Sequence, residues 1–442
     1  MSPTFRNGIT PKLRPLSARK SAILSVLDIG TTKVACLVAR LEPVEPSREL
    51  AGRTHSCRVL GIGHQRSRGL KGGVVIDLDE AERSIRLAVD AAERMAGVQI
   101  ESVIVNMTGG RLGSQHFTAQ IAINGRGVSD SDLGRVMEAA TASSIMPGRS
   151  VLHSLPTGYA LDGASGVRDP KGMIGDKLGA DMHVVSGDTA AARNILLAVE
   201  RCHLGVEAMV ATPYASGLSV LIDDEAEMGV ACIDLGGGTT SLSVFAGGAL
   251  VHADAIAVGG HHVTMDIARG LNARVGDAER IKCLSGSCID SMSDDREIIC
   301  VPQVGEDDRE AANHVARTQL TRIVKPRVEE ILELIRDRLK ASGYASEAGR
   351  RLVLTGGASQ LTGLPELARR IISKQVRIGR PVGVHGLPES AKSPAFAATL
   401  GLLVYPQVAG LEHFEAGRAS AHLGTGTDGY FSRVGRWLKD SF

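Results

Sequence analysis

One short pattern occurs twice in this chain, and the repetition constrains the fold more than any other feature. Val26-Leu-Asp-Ile-Gly-Thr-Thr-Lys-Val-Ala-Cys-Leu-Val38 and Cys232-Ile-Asp-Leu-Gly-Gly-Gly-Thr-Thr-Ser-Leu-Ser-Val244 each read as an apolar strand ending at an aspartate, a Gly/Thr turn and a second β-rich strand. One copy is a hairpin signal; two copies about 200 residues apart imply a pair of related domains. The length of 442 residues agrees, because single cores stop growing near ~250–300 residues and longer chains divide.

Each copy is accompanied by helical material. From Asp79 to Ala96, Ile85, Ala88, Val89, Ala92 and Met95 fall on one face of a helix, and residues 192–203 form another. Between them, strand-like runs at Ser102–Met107, Val151–Leu161 and Met182–Val185 surround a polar helix near Asp130–Ser143, which describes a small α+β insert. Leu320, Ile323, Val324, Ile331, Leu332, Ile335 and Leu339 are helically periodic across Pro326, and a proline there removes a backbone donor, so two helices or a kink are expected. After Pro406 the pattern turns polar and reads as a linker.

The chemistry lies in the turns. No G-x-x-x-x-G-K-[ST] loop is present. A tight Gly/Thr turn aims several backbone N–H groups into one concavity that favours an anion, and an aspartate at the strand end can hold Mg²⁺ through water. Two such hairpins facing each other would grip a polyphosphate from both sides. Leu352-Val-Leu-Thr-Gly-Gly-Ala-Ser-Gln-Leu-Thr-Gly-Leu364 adds a strand and a glycine turn against which a flat base or ribose could lie.

This ordered set of D-x-G-T-T-K, D-L-G-G-G-T-T and T-G-G-A-S resembles the actin, Hsp70 and sugar-kinase superfamily. Within it the chain resembles the FtsA family of bacterial actin-like cell-division proteins, from about Ala22 to Pro406 and again in the last residues. The segments that narrow the resemblance are Gly69-Leu-Lys-Gly-Gly-Val-Val-Ile-Asp77, Val230 to Ala246, Pro326-Arg-Val-Glu-Glu-Ile-Leu332 and the terminal helix. The arm before Ser21 and the loop around 285–310 do not match the family pattern.

The resemblance implies an α/β fold of two related actin-like (ribonuclease-H-like) domains around an ATP cleft, with the α+β insert and a C-terminal amphipathic helix. The implied division is a basic arm at 1–20, a first domain at 21–97 and 181–228 around the insert at 98–180, and a second domain at 229–272 and 350–406, whose end returns to the first domain. A helical unit at 273–349, a linker at 407–428 and a membrane-targeting helix at 429–442 complete it. Mapped by motif, Asp28 and Asp234 would orient Mg²⁺ and its waters; Gly30, Thr31, Thr32 and Lys33 would meet phosphate from one side and Gly236, Gly237, Gly238 and Thr239 from the other. Gly356, Gly357, Ala358 and Ser359 would face the adenosine, and Glu279 and Lys282, in Ala278-Glu-Arg-Ile-Lys282, would lie over base and ribose. No residue declares itself as the group that positions a hydrolytic water, so slow ATPase activity at most is expected. Adjacent His261 and His262 point about 100° apart on a helix, which disfavours a shared metal.

The resemblance also implies partners: the C-terminal peptide of the tubulin-like FtsZ, bound on the helical unit with Arg327 as the candidate contact; the chain itself, in a filament; and later division proteins at the insert. At the terminus, Phe431, Val434, Trp437, Leu438 and Phe442 form an apolar stripe flanked by Arg433, Arg436 and Lys439, the composition of a helix lying in an anionic membrane surface. That would place the protein peripherally on the cytoplasmic face of the cell membrane, at the division site. A filament would hold many such tails by avidity. An FtsA-like pilus-assembly adaptor and a sugar or acid kinase explain the cleft equally well, and neither needs the Trp437 helix.

Composition sets outer bounds. Hydrophobic residues are 43 % and charged residues 22 %, which excludes a disordered chain and a multi-span membrane protein. No segment reads as a spanning helix of ~18–20 apolar residues. The formal charge of +1 argues against a dedicated nucleic-acid binder. Seven scattered cysteines without a C-x-x-C pair indicate a reducing compartment. Residues 1–20 carry Arg6, Lys12, Arg14, Arg19 and Lys20 with no acid, and read as a disordered basic arm.

Overall fold

The computed structural model describes residues 10–13, 16–17, 19–45, 50, 52–142, 144, 146–292, 294–302, 313–348, 350–372 and 375–413. The terminal helix at 429–442, with Phe431, Arg433, Val434, Arg436, Trp437, Leu438, Lys439 and Phe442, and the linker from residue 414 lie outside the described residues.

The first sheet has six strands in the order Gly205–Ala211, Ser102–Met107, Ala22–Ile29, Lys33–Pro43, His55–Arg66 and Val384–His385. Ser102–Met107 is buried at every position, as expected for a parallel strand covered on both faces. It pairs with Ala22–Ile29 and therefore belongs to the first domain, not to the insert. The helix Leu78–Ala96 covers this sheet. Its start is set by the Asp77 carboxylate, which accepts from Asp79 N and Glu80 N, and its end by Gly97 at φ 66°. Strand His55–Arg66 fits closely beneath it because Gly63 has no side chain: a Cβ there would sit 1.7 Å from Ala88 O. Ile85, Ala88, Val89 and Ala92 are buried as the periodicity predicts, but Met95 is exposed, having rotated off the face in the last turn.

The second sheet has nine strands, ordered Val376–Ile378, Leu352–Thr355, Val230–Leu235, Thr240–Ala246, Ala249–Ile256, Gly113–Gly127, Ile174–Asp188, Arg149–Leu161 and Ala164–Val167. The last four, with helix Asp130–Ala142, are the insert, which joins the second domain through the strand pairing Asp254–Gly113 and side-chain bonds such as Ala253 N donating to Ser114 Oγ. The insert thus runs from Gly113 to Asp188, later at both ends than the sequence boundaries of 98–180.

Of the two outcomes expected at Pro326, two helices are not formed: one helix, Arg317–Ala341, continues through the proline. Leu320, Val324, Val328, Ile331, Leu332, Ile335 and Leu339 are all buried along one face on either side of it. Burying that continuous stripe, at ~1.5–3 kcal/mol per side chain, outweighs the ~3 kcal/mol that an internal proline costs.

Two helices lie against each other between the domains. Thr212–Val220 leads from the first domain into the second; the chain returns by Val384–His385, and Ala397–Val408 then packs on the first core and against Thr212–Val220. They touch at Gly401, where a Cβ would come within 1.7 Å of Ala215 O. The stretch Pro394–Leu411 is apolar and long enough to cross a membrane, contrary to the sequence reading, yet 72 % of it is buried within the body, as a core helix is.

Both ends of the body are better anchored than the sequence suggests. Thr10 N and Oγ1 donate to Val151 O, Met209 N donates to Pro11 O, Lys12 Nζ donates to Leu152 O, and Leu13 and Leu16 pack on the first core. Helix Ala397–Val408 passes beyond Pro406, and the next turns bring Glu412 to His153, with 2.8 Å from Oε1 to Nδ1 and both side chains buried. His413 N donates to Ser154 O. The described part of the arm and the first residues of the linker are therefore packed segments, because buried donors and acceptors of the insert bind them.

Candidate nucleotide-binding site

The duplication seen in the sequence is also one of geometry. In the first hairpin Gly30 N donates to Lys33 O at 2.9 Å; in the second Gly236 N donates to Thr239 O at 3.0 Å. The strands continue in register on either side, Asp28 opposite Ala35 and Asp234 opposite Ser241. The turns meet tip to tip. A Cβ on Gly237 would lie 2.4 Å from Thr32 Cγ2, and one on Gly238 2.4 Å from Thr31 Oγ1, so the glycines of one hairpin are required by the threonines of the other. Thr31 Oγ1 also accepts from Gly73 N at 3.0 Å, which braces the hairpin with the Gly69–Asp77 segment.

Beneath the tips lie the two carboxylates, both buried. Asp28 Oδ1 accepts from Asn106 Nδ2 at 2.8 Å and Oδ2 from Thr399 Oγ1 at 2.6 Å. Asn106 is fixed in turn, its Oδ1 accepting from Ile29 N at 2.7 Å. Asp234 Oδ2 accepts from Ser216 Oγ. Burial pushes the Asp234 carboxyl up to about 6; the Ser216 hydroxyl works against this, Asp28 adds to it and Lys33 opposes it. Lys33 Nζ stands 3.6 Å from Asp28 Oδ2 and 3.9 Å from the centre of the Phe396 ring. Burial pulls its ammonium below the usual range, against the pull of Asp28 and Asp234. His64 packs edge-on against the same Phe396 ring.

The third glycine element reaches the same place. Gly356 has φ 85°, and a Cβ there would come within 2.2 Å of Asp234 Oδ1. Gly357–Gln360 is a single tight turn closed by Ser359 Oγ donating to Gly356 O at 2.7 Å. Ala358 borders Gly260, and Gly260 O accepts from Lys282 Nζ at 3.1 Å. Lys282 is buried and also donates to Thr264 Oγ1 at 2.9 Å and to Glu279 Oε2 at 2.7 Å. Glu279, half-exposed, and buried Lys282 thus form a network beside Ala358. His262 Nδ1 accepts from Gly259 N at the start of its helix.

All the residues predicted for the cleft converge on it. Asn106, Ser216, Thr264, Phe396 and Thr399 join them and were not foreseen. Thr399 had a signal: it is a polar residue inside Ala-Ala-Thr-Leu-Gly-Leu-Leu-Val-Tyr, where a buried hydroxyl must find a partner. The donor set suits a hard cation beside a polyphosphate. Two buried carboxylates supply oxygen, and the facing turns supply N–H groups and hydroxyls. Arg327 lies elsewhere, on the helix Arg317–Ala341, paired with Asp266 at 2.6 Å and with Glu330. A neighbouring cleft of about 590 Å³ is lined by Asp290, Asp294, Thr318, Arg322, Lys325 and Pro326, among others.

Two domains with duplicated hairpins over paired aspartates, with two crossing helices between them, define an actin-like fold. Solved structures of that class are similar to it: the PilM–PilN type IV pilus biogenesis complex at TM-score 0.60 and 15 % identity, covering 88 % of this chain and 99 % of that one, and MreB5 of Spiroplasma citri bound to ADP at TM-score 0.51 and 13 % identity, covering 88 % and 97 %. The family model for cell division protein FtsA matches residues 231–401, and the model for the SHS2 domain inserted in FtsA matches residues 109–186, close to the insert found in the fold. The cell division protein FtsA of Rhizobium meliloti (strain 1021) is 57 % identical over 433 residues, 98 % of each chain. This chain belongs to the FtsA family of cell division proteins.

Proposed function

We propose that this protein binds ATP with Mg²⁺ between the two hairpins and uses the bound nucleotide to govern self-assembly, tethering an FtsZ ring to the cytoplasmic face of the membrane. The observation that supports this most directly is the meeting of two equivalent Gly/Thr turns above buried Asp28 and Asp234. The triphosphate would lie against the turn N–H groups, with Thr31, Thr32 and Thr239 donating and Lys33 compensating charge. Gly356, Gly357, Ala358 and Ser359 would border adenosine on one side, Glu279 and Lys282 on the other. Asp28 and Asp234 would hold Mg²⁺ through its waters, and the ion would supply charge neutralisation along the phosphates.

Outside the cleft, the reading assigns the FtsZ peptide to the helix Arg317–Ala341, with Arg327, now paired with Asp266 and Glu330, as the contact for an acidic group. It assigns self-assembly and later division proteins to the body and insert, and the lipid surface to residues 429–442. Head-to-tail assembly is a heterologous contact that does not close, which yields filaments. Family membership favours this reading over a pilus adaptor or a kinase.

Flotation with anionic phospholipid vesicles tests it, comparing the full chain with one ending at Asp428, each with and without Mg·ATP. The full chain alone should float, more strongly with Mg·ATP. Equal behaviour of the two chains would remove the anchor from the proposal, and indifference to nucleotide would remove the coupling.

A further inference from the structure

The two carboxylates under the nucleotide site are held in matching ways. Asp28, in the first domain, accepts from Thr399 Oγ1 at 2.6 Å; Asp234, in the second, accepts from Ser216 Oγ. Both hydroxyls are fully buried. Each belongs to one of two helices packed against each other between the domains: Ser216 to Thr212–Val220 and Thr399 to Ala397–Val408. Ser216 directly follows Ala215, whose carbonyl is pressed against Gly401, two residues after Thr399. The helices are tied again by Ser219 Oγ, which donates to Ala397 O at 2.7 Å. Helix Thr212–Val220 is close-packed on the second domain too, since a Cβ on Gly217 would meet the Phe245 ring at 2.4 Å.

These contacts form one unbroken path: Asp28, the Thr399 hydroxyl, the Gly401–Ala215 crossing, the Ser216 hydroxyl, Asp234. Every link is a hydrogen bond or a backbone contact without slack. We propose that Thr399 and Ser216 are positioning residues that fix the two carboxylates to the crossing helices, so that a cation and polyphosphate drawing on both aspartates set the angle between the domains. The proposal rests on the reading of the cleft as an Mg·ATP site and adds the route by which occupancy reaches the body. A hydroxyl that donates to a carboxylate settles its rotamer, leaving its remaining lone pairs aimed in one direction. Without it, the carboxylate must be reoriented at the moment of binding, and its movement is no longer transmitted to the helix.

The experiment uses the full chain and the variants Thr399→Val, Thr399→Ser and Ser216→Ala. A fluorescent ATP analogue is titrated with Mg²⁺ and with EDTA, and amide exchange of 212–220 and 397–408 is followed with and without saturating Mg·ATP. Thr399→Val and Ser216→Ala should each weaken binding about tenfold in Mg²⁺ and less than about twofold in EDTA. They should also lose the protection of both helices that the wild type gains when saturated. Thr399→Ser should restore both properties, which a loss of packing would not allow. Variants that bind and protect as the wild type does overturn the inference while leaving the ATP reading intact. So does equal weakening with and without Mg²⁺, because it assigns the hydroxyls to packing. A wild-type chain that binds no nucleotide overturns the ATP reading itself, and this inference with it.

Discussion

At the residue scale, the decisive feature is how polar groups are satisfied once buried. Lys282 reaches Glu279, Thr264 and Gly260 from a position closed to water, and such a cation depends on its partners. Burial raises the Glu279 carboxyl, but Lys282, with Thr264 and Cys283 as further donors, more than reverses this and holds it below the usual range. Glu279→Gln should therefore weaken binding of a fluorescent ATP analogue by about tenfold; unchanged affinity with a lower unfolding midpoint would make the pair structural. His183 poses the opposite case. It is fully buried between the insert and the second domain and stacked on His116, with only the Leu250 backbone, among the described residues, near enough to favour its charged form. Burial first, then the neighbouring imidazoles of His116, His252 and His153, lower it well below 6.5. The fold accepts only the neutral ring, so the unfolded chain binds the extra proton. The stabilising contribution is complete above the unfolded value of 6.5 and is lost as pH falls below it. His183→Phe, which cannot titrate, should flatten the loss of urea resistance between about pH 7 and about pH 5.5; an unaltered slope would assign it to other groups.

At the element scale, the helix Arg317–Ala341 shows tertiary packing overruling local propensity. Pro326 remains inside it because the buried stripe continues on both sides. Pro326→Ala restores a backbone donor and should raise stability by about 1–3 kcal/mol, measured by urea unfolding; a fall would mean that the proline shapes the neighbouring cleft. Arg327 ties this helix to Gly260–Gly270 through Asp266. Two roles follow for it, and they separate cleanly. If it receives an acidic peptide, Asp266→Asn should leave binding of the FtsZ C-terminal peptide intact or stronger, and Arg327→Ala should reduce it. If it is a brace, both variants should lower stability alike and leave peptide affinity unchanged.

At the scale of the whole molecule, the N-terminal arm, the insert and the last helix meet at one buried knot. His153 Nε2 accepts from Ala211 N at 2.8 Å, so its other nitrogen, Nδ1, carries the proton that faces Glu412. Burial brings Lys12 down to about 8, with Glu412 pulling it back up. The knot fastens Glu412, beside the last described residue, to the insert. Glu412→Ala should lower stability by about 1–3 kcal/mol, because it removes the carboxylate that pairs with buried His153 and offsets the charge of half-buried Lys12. The double variant Lys12→Met/Glu412→Gln should recover much of that in urea unfolding. A double variant no better than the single would show that His153, not Lys12, dominates.

What was legible in the sequence was whatever chemistry lay within one contiguous stretch. Each hairpin, from Asp28 to Lys33 and from Asp234 to Thr239, needs only its own turn residues to form. The same holds for the Gly356 turn and the stripe of Leu78–Ala96. From those segments came the duplication and the two domains, and the family resemblance they carry implied the side chains of the cleft, Glu279 and Lys282 included. Only the tertiary structure decided which buried groups hold them. Asn106, Ser216 and Thr399 come to the aspartates from distant strands and helices, and no local pattern distinguishes a hydroxyl that will face a carboxylate. The structure also decided that a proline would sit in an unbroken helix, that the insert would begin at Gly113, and that Thr10 and the side chain of Glu412 would be enclosed. Each outcome depends on surfaces that exist only once the domains have packed, where burying apolar area and satisfying enclosed polar groups outweigh the preferences of any single segment.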